Sequence, residues 1–186
     1  GVLLDIKSGE ILSLASFPDF NPNEFGLASD DARFNRATKG LYEMGSTFKV
    51  LNTAIALETG AATVGQQFEV AKPLRIARFT ITDYHPYKRP LNVPEILVYS
   101  SNIGSALMAE KIGADLQRTY IDKLGLLDRL AIELPEVATP LAPREWRRTT
   151  TATVSYGHAI AVSLVHLASA VAAASGTGHL IQPTLL

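Results

Sequence analysis

Tyr42-Glu43-Met44-Gly45-Ser46-Thr47-Phe48-Lys49, running on through Val50-Leu51-Asn52-Thr53-Ala54-Ile55-Ala56-Leu57 to Gly60, reads as the entry and body of one helix. Gly45-Ser46 is a plausible start, and Gly60 stands where a C-terminal cap belongs. The predicted helix covers Ser46 to Thr59. Its apolar residues surround most of the cylinder, the pattern of a buried helix. A lysine near the head of such a helix is unusual. Three residues of α-helix turn about 300° and rise about 4.5 Å, so Ser46 and Lys49 share a face. A serine hydroxyl is a poor nucleophile until a neighbour takes its proton. A lysine serves as that base when burial lowers its pKa toward about 7–8. The partial positive charge of a helix N-terminus favours a developing alkoxide. A bland alternative remains at this point, a serine cap followed by an unrelated lysine, because Ser-x-x-Lys by itself is unspecific.

Upstream of this helix, residues 1–16 read as a β-hairpin. Val2, Leu3, Leu4 and Ile6 form one strand, Ile11, Leu12, Leu14 and Ala15 the next, with Lys7-Ser8-Gly9-Glu10 as the turn. Residues 17–40 read as loop, broken by Pro18, Asn21, Pro22 and Asn23. Downstream, Phe79-Thr80-Ile81-Thr82 is the best strand. Pro94 opens a short helix as its first residue. Further helices are expected over Asn102–Lys111, before Gly113, and over Asp115–Leu124, before Gly125. Residues 131–150 read as proline-punctuated loop, and Ala159–Ala174 as a buried helix. That apolar run falls short of the ~20 residues a membrane span requires.

With 186 residues, one domain or part of one is expected. Charged residues are 19% of the chain and hydrophobic ones 47%, too apolar for a disordered segment. A net charge of −1 leaves no electrostatic footprint for nucleic acid. The absence of cysteine excludes disulfides, thiolate metal sites and a cysteine nucleophile. His158 and His166 are too far apart in sequence for a helical ligand pair, so neither metal nor other cofactor is expected. Trp146, among Arg144, Arg147 and Arg148, reads as a packed loop with solvated charges rather than a base-stacking site.

Ser100-Ser101-Asn102 is the second candidate. It lies about fifty residues after Ser46, between two predicted helices. A serine there can relay a proton between Lys49 and a leaving group, and an asparagine can hold both the lysine and a substrate amide. Both residue types are also common helix caps.

Together, Ser-x-x-Lys on a buried helix and Ser-x-Asn in a helix–helix loop resemble two of the three motifs of penicillin-binding proteins and serine β-lactamases. Asp5-Ile6-Lys7-Ser8-Gly9-Glu10-Ile11-Leu12 is similar to the family's opening hairpin, and Pro18-Asp19-Phe20-Asn21-Pro22-Asn23 to the segment after it. Asn35-Arg36-Ala37 and Tyr42 to Lys49 resemble the approach to the nucleophile in class B penicillin-binding proteins. Tyr99-Ser100-Ser101-Asn102-Ile103-Gly104 fits the second motif, and Ser155-Tyr156-Gly157-His158 resembles the stretch before the last sheet strands.

The resemblance implies an α/β (α+β) fold of the β-lactamase/transpeptidase type, an antiparallel sheet packed against a helical cluster. It also implies a peptidoglycan D,D-transpeptidase working by an acyl-enzyme. Ser46 would be acylated, Lys49 its base, Ser100 the relay, and Asn102 a contact to substrate and lysine. The Ser46 backbone N–H would be one oxyanion donor. Implied partners are the D-alanyl-D-alanine end of a stem peptide, β-lactams that mimic it, and other cell-wall synthesis proteins. The implied place is the outer side of a bacterial cytoplasmic membrane, reached through a segment outside this chain.

The third motif, Lys-Thr/Ser-Gly on a sheet strand, is expected beyond Leu186. Residues 1–186 are therefore expected to be a partial transpeptidase domain, lacking the last strands and the second oxyanion donor and inactive alone. Lys7-Ser8-Gly9 matches the letters of that motif but sits in the opening turn. Gly176-Thr177-Gly178 lacks the lysine. Ala159 stands where the family usually has a second glycine, and Ser163-Leu164-Val165-His166 where it usually has Thr-Pro-Leu-Gln. A serine β-lactamase shares both motifs. However, Glu133 and Glu136 lack the Asn four residues on that marks a class A deacylating glutamate, and Asn102 is atypical of class D. A sensor acylated by β-lactams without turnover fits the same residues.

Overall fold

A computed structural model describes residues 1–186. In chain order the elements are β1 (Val2–Leu4), β2 (Ile11–Leu14), α1 (Asp30–Arg33), α2 (Phe48–Glu58), β3 (Gln67–Phe68), β4 (Leu74–Ile76), β5 (Phe79–Ile81), β6 (Leu91–Asn92), α3 (Val93–Val98), α4 (Asn102–Ile112), α5 (Ala114–Lys123), α6 (Arg148–Val154) and α7 (Leu164–Ser175). 3-10 turns cover Pro22–Leu27, broken by a kink at Glu24, and Gly45–Thr47. The mixed α/β class is as expected. The strands form three separate two-stranded antiparallel ribbons, β1–β2, β3–β6 and β4–β5.

The chain divides into two compact units. The first contains residues 1–42, 122–141 and 161–186. Its hairpin turns at Lys7-Ser8-Gly9, where the Asp5 carboxylate accepts the N–H groups of Lys7 (2.7 Å) and Ser8 (2.9 Å). Those donors hold the Asp5 carboxyl below its ordinary value. Lys7-Ser8-Gly9 is thus a turn tied to its own aspartate. The final extended run joins the hairpin: Ile11 N–H donates to the Thr184 carbonyl (2.8 Å) and Thr184 N–H to the Gly9 carbonyl (3.0 Å). Helix α7 packs against β1.

Helix α7 begins at Leu164, five residues later than the apolar run predicts. Two left-handed residues stop a helix before it: Gly157 (φ +78°) and Ala159 (φ +64°). Ala161 and Val162 then lie in bridges to Leu141 and Tyr42, so the apolar run is extended at its start. Ser163 caps α7, accepting the His166 N–H, and His166 Nδ1 returns to Ser163 in a capping box. His166 thus does at the third helical position what glutamine does in the usual form of that box. Its Nε2 meets the Asp128 carbonyl at 3.0 Å.

The second unit contains residues 43–121 and 142–160. Helix α2 packs against α4, and α4 against α6. The buried faces are Phe48, Leu51, Ile55 and Ala56 on α2, Ile103, Ala106 and Ala109 on α4, and Ala152 and Val154 on α6. Burying a Leu, Ile or Phe contributes about 1.5–3 kcal/mol each. Helix α2 is less enclosed than its composition predicts, since Val50 and Leu57 are 41% and 39% exposed. Helix α6 lies partly in the region read as loop. Its Thr-rich sequence, Arg148-Thr149-Thr150-Thr151-Ala152-Thr153-Val154, has low helix propensity and is overridden by packing against α4. Pro94 is the second helical residue of α3, behind an Asn92 cap closed reciprocally by Glu95.

A buried polar chain crosses this helical layer. Asn52 Nδ2 donates to the Ser105 carbonyl (3.0 Å) and Oγ (3.1 Å), and Ser105 Oγ to the Ser155 carbonyl (2.8 Å). Gln117 Nε2 donates to the Thr151 carbonyl (3.1 Å) and receives Trp146 Nε1–H on its Oε1 (2.8 Å). Trp146 is therefore a structural hydrogen-bond donor. Such a chain rigidifies a core when its members are paired.

Burial pushes the His166 imidazole pKa down. The unfolded chain therefore binds more protons than the folded one just below the ordinary His value of about 6.5. The stability that neutral His166 supplies is fully present above that value and is lost as pH falls toward the depressed folded pKa. His166→Gln keeps a capping box and removes the titration. Its thermal midpoint should decline less than the wild type's between pH 7.5 and 5.5. Parallel declines would show that other groups carry the acid sensitivity.

Candidate active site

The site is built at the head of α2. Gly45, in the left-handed region (φ +55°), turns the chain into the 3-10 segment Gly45–Thr47. Ser46 therefore lies in a tight turn just before α2 rather than on the α-helix itself, and it is exposed. Lys49, in the first turn of α2, is 2% exposed. Its Nζ donates to Ser46 Oγ (2.9 Å), the Ser100 carbonyl (2.7 Å) and Ser100 Oγ (2.9 Å).

Those contacts match the three donors of an ammonium. Burial pulls the Lys49 pKa down to about 8, while the Asp83 charge pulls in the opposite direction. Near that pH the amine keeps two N–H groups for Ser100 and turns a lone pair toward the Ser46 hydroxyl. The arrangement can thus take a proton from Ser46 and pass one along Ser100.

Ser100 holds the lysine with both its carbonyl and its hydroxyl, and does so in a left-handed conformation (φ +55°) rare for a non-glycine residue. Strain of this kind costs about 1–3 kcal/mol and persists where the surroundings over-determine it. Helix α3 ends just before it, and α4 starts just after.

Ser101, the middle residue of the motif, is the N-cap of α4. It accepts the Gly104 N–H at 2.9 Å and donates to Asp83 Oδ2 at 2.6 Å. Capping thus falls to Ser101. Asn102 departs from expectation. Its amide donates to the Thr82 carbonyl (3.2 Å) and not to Lys49, whose donors Ser46 and Ser100 already take up. The structure therefore brings Ser46, Lys49 and Ser100 together, with Asn102 two residues from Ser100 on the first turn of α4.

Two contributors were given no role by the sequence. Asp83 follows β5, and nothing in its neighbourhood forms a motif. Gly157 supports the Ser46 turn from the segment after α6. Its carbonyl accepts the Gly45 N–H (3.2 Å), and a Cβ at Gly157 would lie 2.1 Å from the Gly45 carbonyl oxygen. Beside it, Ala159 N–H donates to Glu43 Oε1 (2.8 Å). Ala159's left-handed backbone is a conformation that glycine adopts without a steric penalty, which accounts for the glycine the family usually carries there.

A family model of the penicillin binding protein transpeptidase domain matches residues 1–186. The chain is 43% identical over 185 residues to the probable peptidoglycan D,D-transpeptidase FtsI of Caulobacter vibrioides, covering 100% of this chain and 31% of that protein. It is 33% identical over 182 residues to the probable peptidoglycan D,D-transpeptidase PenA of Neisseria gonorrhoeae, covering 97% and 31%. The chain thus spans about a third of the length of these curated relatives. Among solved structures it resembles the transpeptidase domain of Burkholderia pseudomallei penicillin-binding protein 3, with a TM-score of 0.86 and 27% identity over 99% of this chain and 52% of that one. A peptidoglycan glycosyltransferase from Burkholderia ambifaria matches with a TM-score of 0.87 and 26% identity, over 100% of this chain and 55% of that one.

Gly157→Ala should displace the Ser46 turn. The added carbon meets backbone rather than a side chain that can swing aside, in a conformation already unfavourable for alanine. The expected loss is about 2–4 kcal/mol, read as a lowered unfolding midpoint in denaturant. An unchanged midpoint would show that the Gly45 turn moves freely.

Proposed function

Because this chain belongs to the penicillin-binding protein transpeptidase family, we propose that the protein carrying it is a peptidoglycan D,D-transpeptidase and that residues 1–186 form the part of its catalytic domain that holds the nucleophile. The observation that carries this reading is the buried Lys49 ammonium, bonded to both Ser46 Oγ and Ser100 at 2.7–2.9 Å. Its substrate is the D-alanyl-D-alanine terminus of a stem peptide. A β-lactam takes the same place.

Lys49, as neutral amine, removes the Ser46 hydroxyl proton while Oγ bonds to the penultimate D-alanine carbonyl carbon. The Ser46 backbone N–H stabilises the resulting oxyanion. Ser100 relays the proton from Lys49 to the departing D-alanine nitrogen, whose C–N bond breaks. A second stem peptide's amine then attacks the acyl-Ser46 ester and passes its proton through Ser100 to Lys49, the acyl C–Oγ bond breaks, and Lys49 returns the proton to Ser46 Oγ. Asn102 orients the peptide amide.

We place the protein on the outer face of a bacterial cytoplasmic membrane, where this substrate is found, with β-lactams and other cell-wall synthesis proteins as partners. No helix of this chain is long and apolar enough to cross a membrane.

Fluorescent penicillin should label the full-length protein at Ser46 alone, located by mass spectrometry of the adduct. Labelling at Ser100 instead, or none on folded protein, would sink the assignment.

Lys49→Ala should retain the fold and lose about 10²–10⁴-fold in acylation rate. In the wild type, acylation should rise with pH through about 8, because the neutral amine is the active form. A flat wild-type profile, or a mutant near the wild-type rate, would assign the proton transfer to another group.

A further inference from the structure

The first turn of α4 is gripped from outside its own helix. Asp83 Oδ2 accepts the Ser101 hydroxyl (2.6 Å), and Asp83 Oδ1 accepts the Ile103 N–H (2.9 Å). The preceding Thr82 carbonyl accepts the Asn102 amide (3.2 Å). Two consecutive residues leaving β5 thus bind three consecutive residues opening α4. Asp83 is 9% exposed and Ser101 fully buried, so the two Asp83 bonds are interior contacts, while the Asn102–Thr82 bond lies at the surface. A carboxylate accepting hydrogen bonds at a helix N-terminus also meets the positive end of the helix dipole.

Resting on the function proposed above, we propose that Asp83 is a positioning residue for acyl transfer: it fixes Ser101 and the start of α4, thereby holding the strained Ser100 against Lys49, and it supplies a negative charge to that buried ammonium. Ser100 is one residue from Ser101, and its left-handed backbone needs an external restraint. The Ser101–Asp83 bond is such a restraint. It keeps the Ser100 carbonyl and hydroxyl on Lys49 without contributing a group to the reaction.

The charge acts through the same geometry, because the Asp83 carboxylate binds Ser101, the neighbour in sequence of the Ser100 that holds Lys49. Desolvation lowers the Lys49 pKa and Asp83 partly restores it, so the two together leave the value at about 8. The other charged and titratable groups around α2 are occupied elsewhere. Glu95 of α3 pairs with Arg89 (2.7 Å), and Glu110 of α4 with Arg148 (2.5 Å). Lys111 lies over the Phe68 ring, Tyr99 stacks on Tyr87, Tyr156 packs on His158, and Glu43 caps the Ala159 N–H. Glu58 stands at the far end of α2.

The experiment measures the second-order rate of fluorescent-penicillin acylation against pH for full-length wild type, Asp83→Asn, Asp83→Ser and Ser101→Ala, with adduct mapping and thermal melts. Both Asp83 variants are neutral; Asp83→Asn keeps an acceptor for the Ile103 N–H, and Asp83→Ser leaves a shorter polar side chain in its place. They should lose at least about tenfold in plateau rate. Their rising limb should also move to lower pH, because the charge that holds the proton on Lys49 is gone. Ser101→Ala keeps the charge and removes one restraint, so its plateau should fall while its limb stays in place.

A limb that stays put in a folded Asp83 variant, or moves to higher pH, overturns the assignment. So does a plateau equal to wild type in both Asp83 variants. Loss of fold in both would leave Asp83 a purely structural residue and overturn it equally. Absence of a Ser46 adduct in the wild type would instead remove the parent function, a result distinguishable from all of these.

Discussion

The burial of Lys49 is the constraint around which the second unit is arranged. An ammonium withdrawn from water costs several kcal/mol unless its donors are paired. Here all three find oxygen, on Ser46 and Ser100. Hydrogen bonds to a charged group contribute about 1.5–3 kcal/mol each, enough to offset the strained Ser100 backbone. The same burial brings the lysine's pKa within reach of neutral pH. Stability and chemistry are therefore linked through one atom: what keeps Nζ tolerable in the interior also aims it at a hydroxyl.

The surrounding layers make that atom's position reproducible. One turn along α2 from Lys49, Asn52 binds Ser105 of α4, and Ser105 binds the Ser155 carbonyl beyond α6. The left-handed Gly45 turn, hydrogen-bonded to Gly157, sets the direction of Ser46. These contacts involve no reacting group. Their effect is to hold the hydroxyl and amine in register, where a misplacement of about 1 Å can cost about 10²-fold in rate.

In the first unit the clearest departure from the expected sequence is conservative in physical terms. Ser163 and His166 close a capping box at the head of α7, where serine with glutamine would do so in its usual form. The histidine preserves the cap and adds a titratable group in the interior.

Much was legible in the residues themselves. The 2–4 and 11–14 hairpin, the helix bodies after Ser46 and Asn102, the glycine stops, and the one-turn spacing of Ser46 and Lys49 follow from local periodicity and backbone preference. Local preference acts over a few residues and is written in them. It misled where packing outweighed it. The threonine-rich α6 is helical because α4 covers it, and the alanine-rich run after Ala159 starts extended because left-handed residues and bridges precede its cap. The proximity of Lys49 to Ser100, fifty-one positions apart, the turning of Asn102 toward Thr82, and the grip of Asp83 on Ser101 come from long-range packing. A lone aspartate after a short strand carries no periodic signal. Its partners become its neighbours only when β5 and α4 are brought together in the fold.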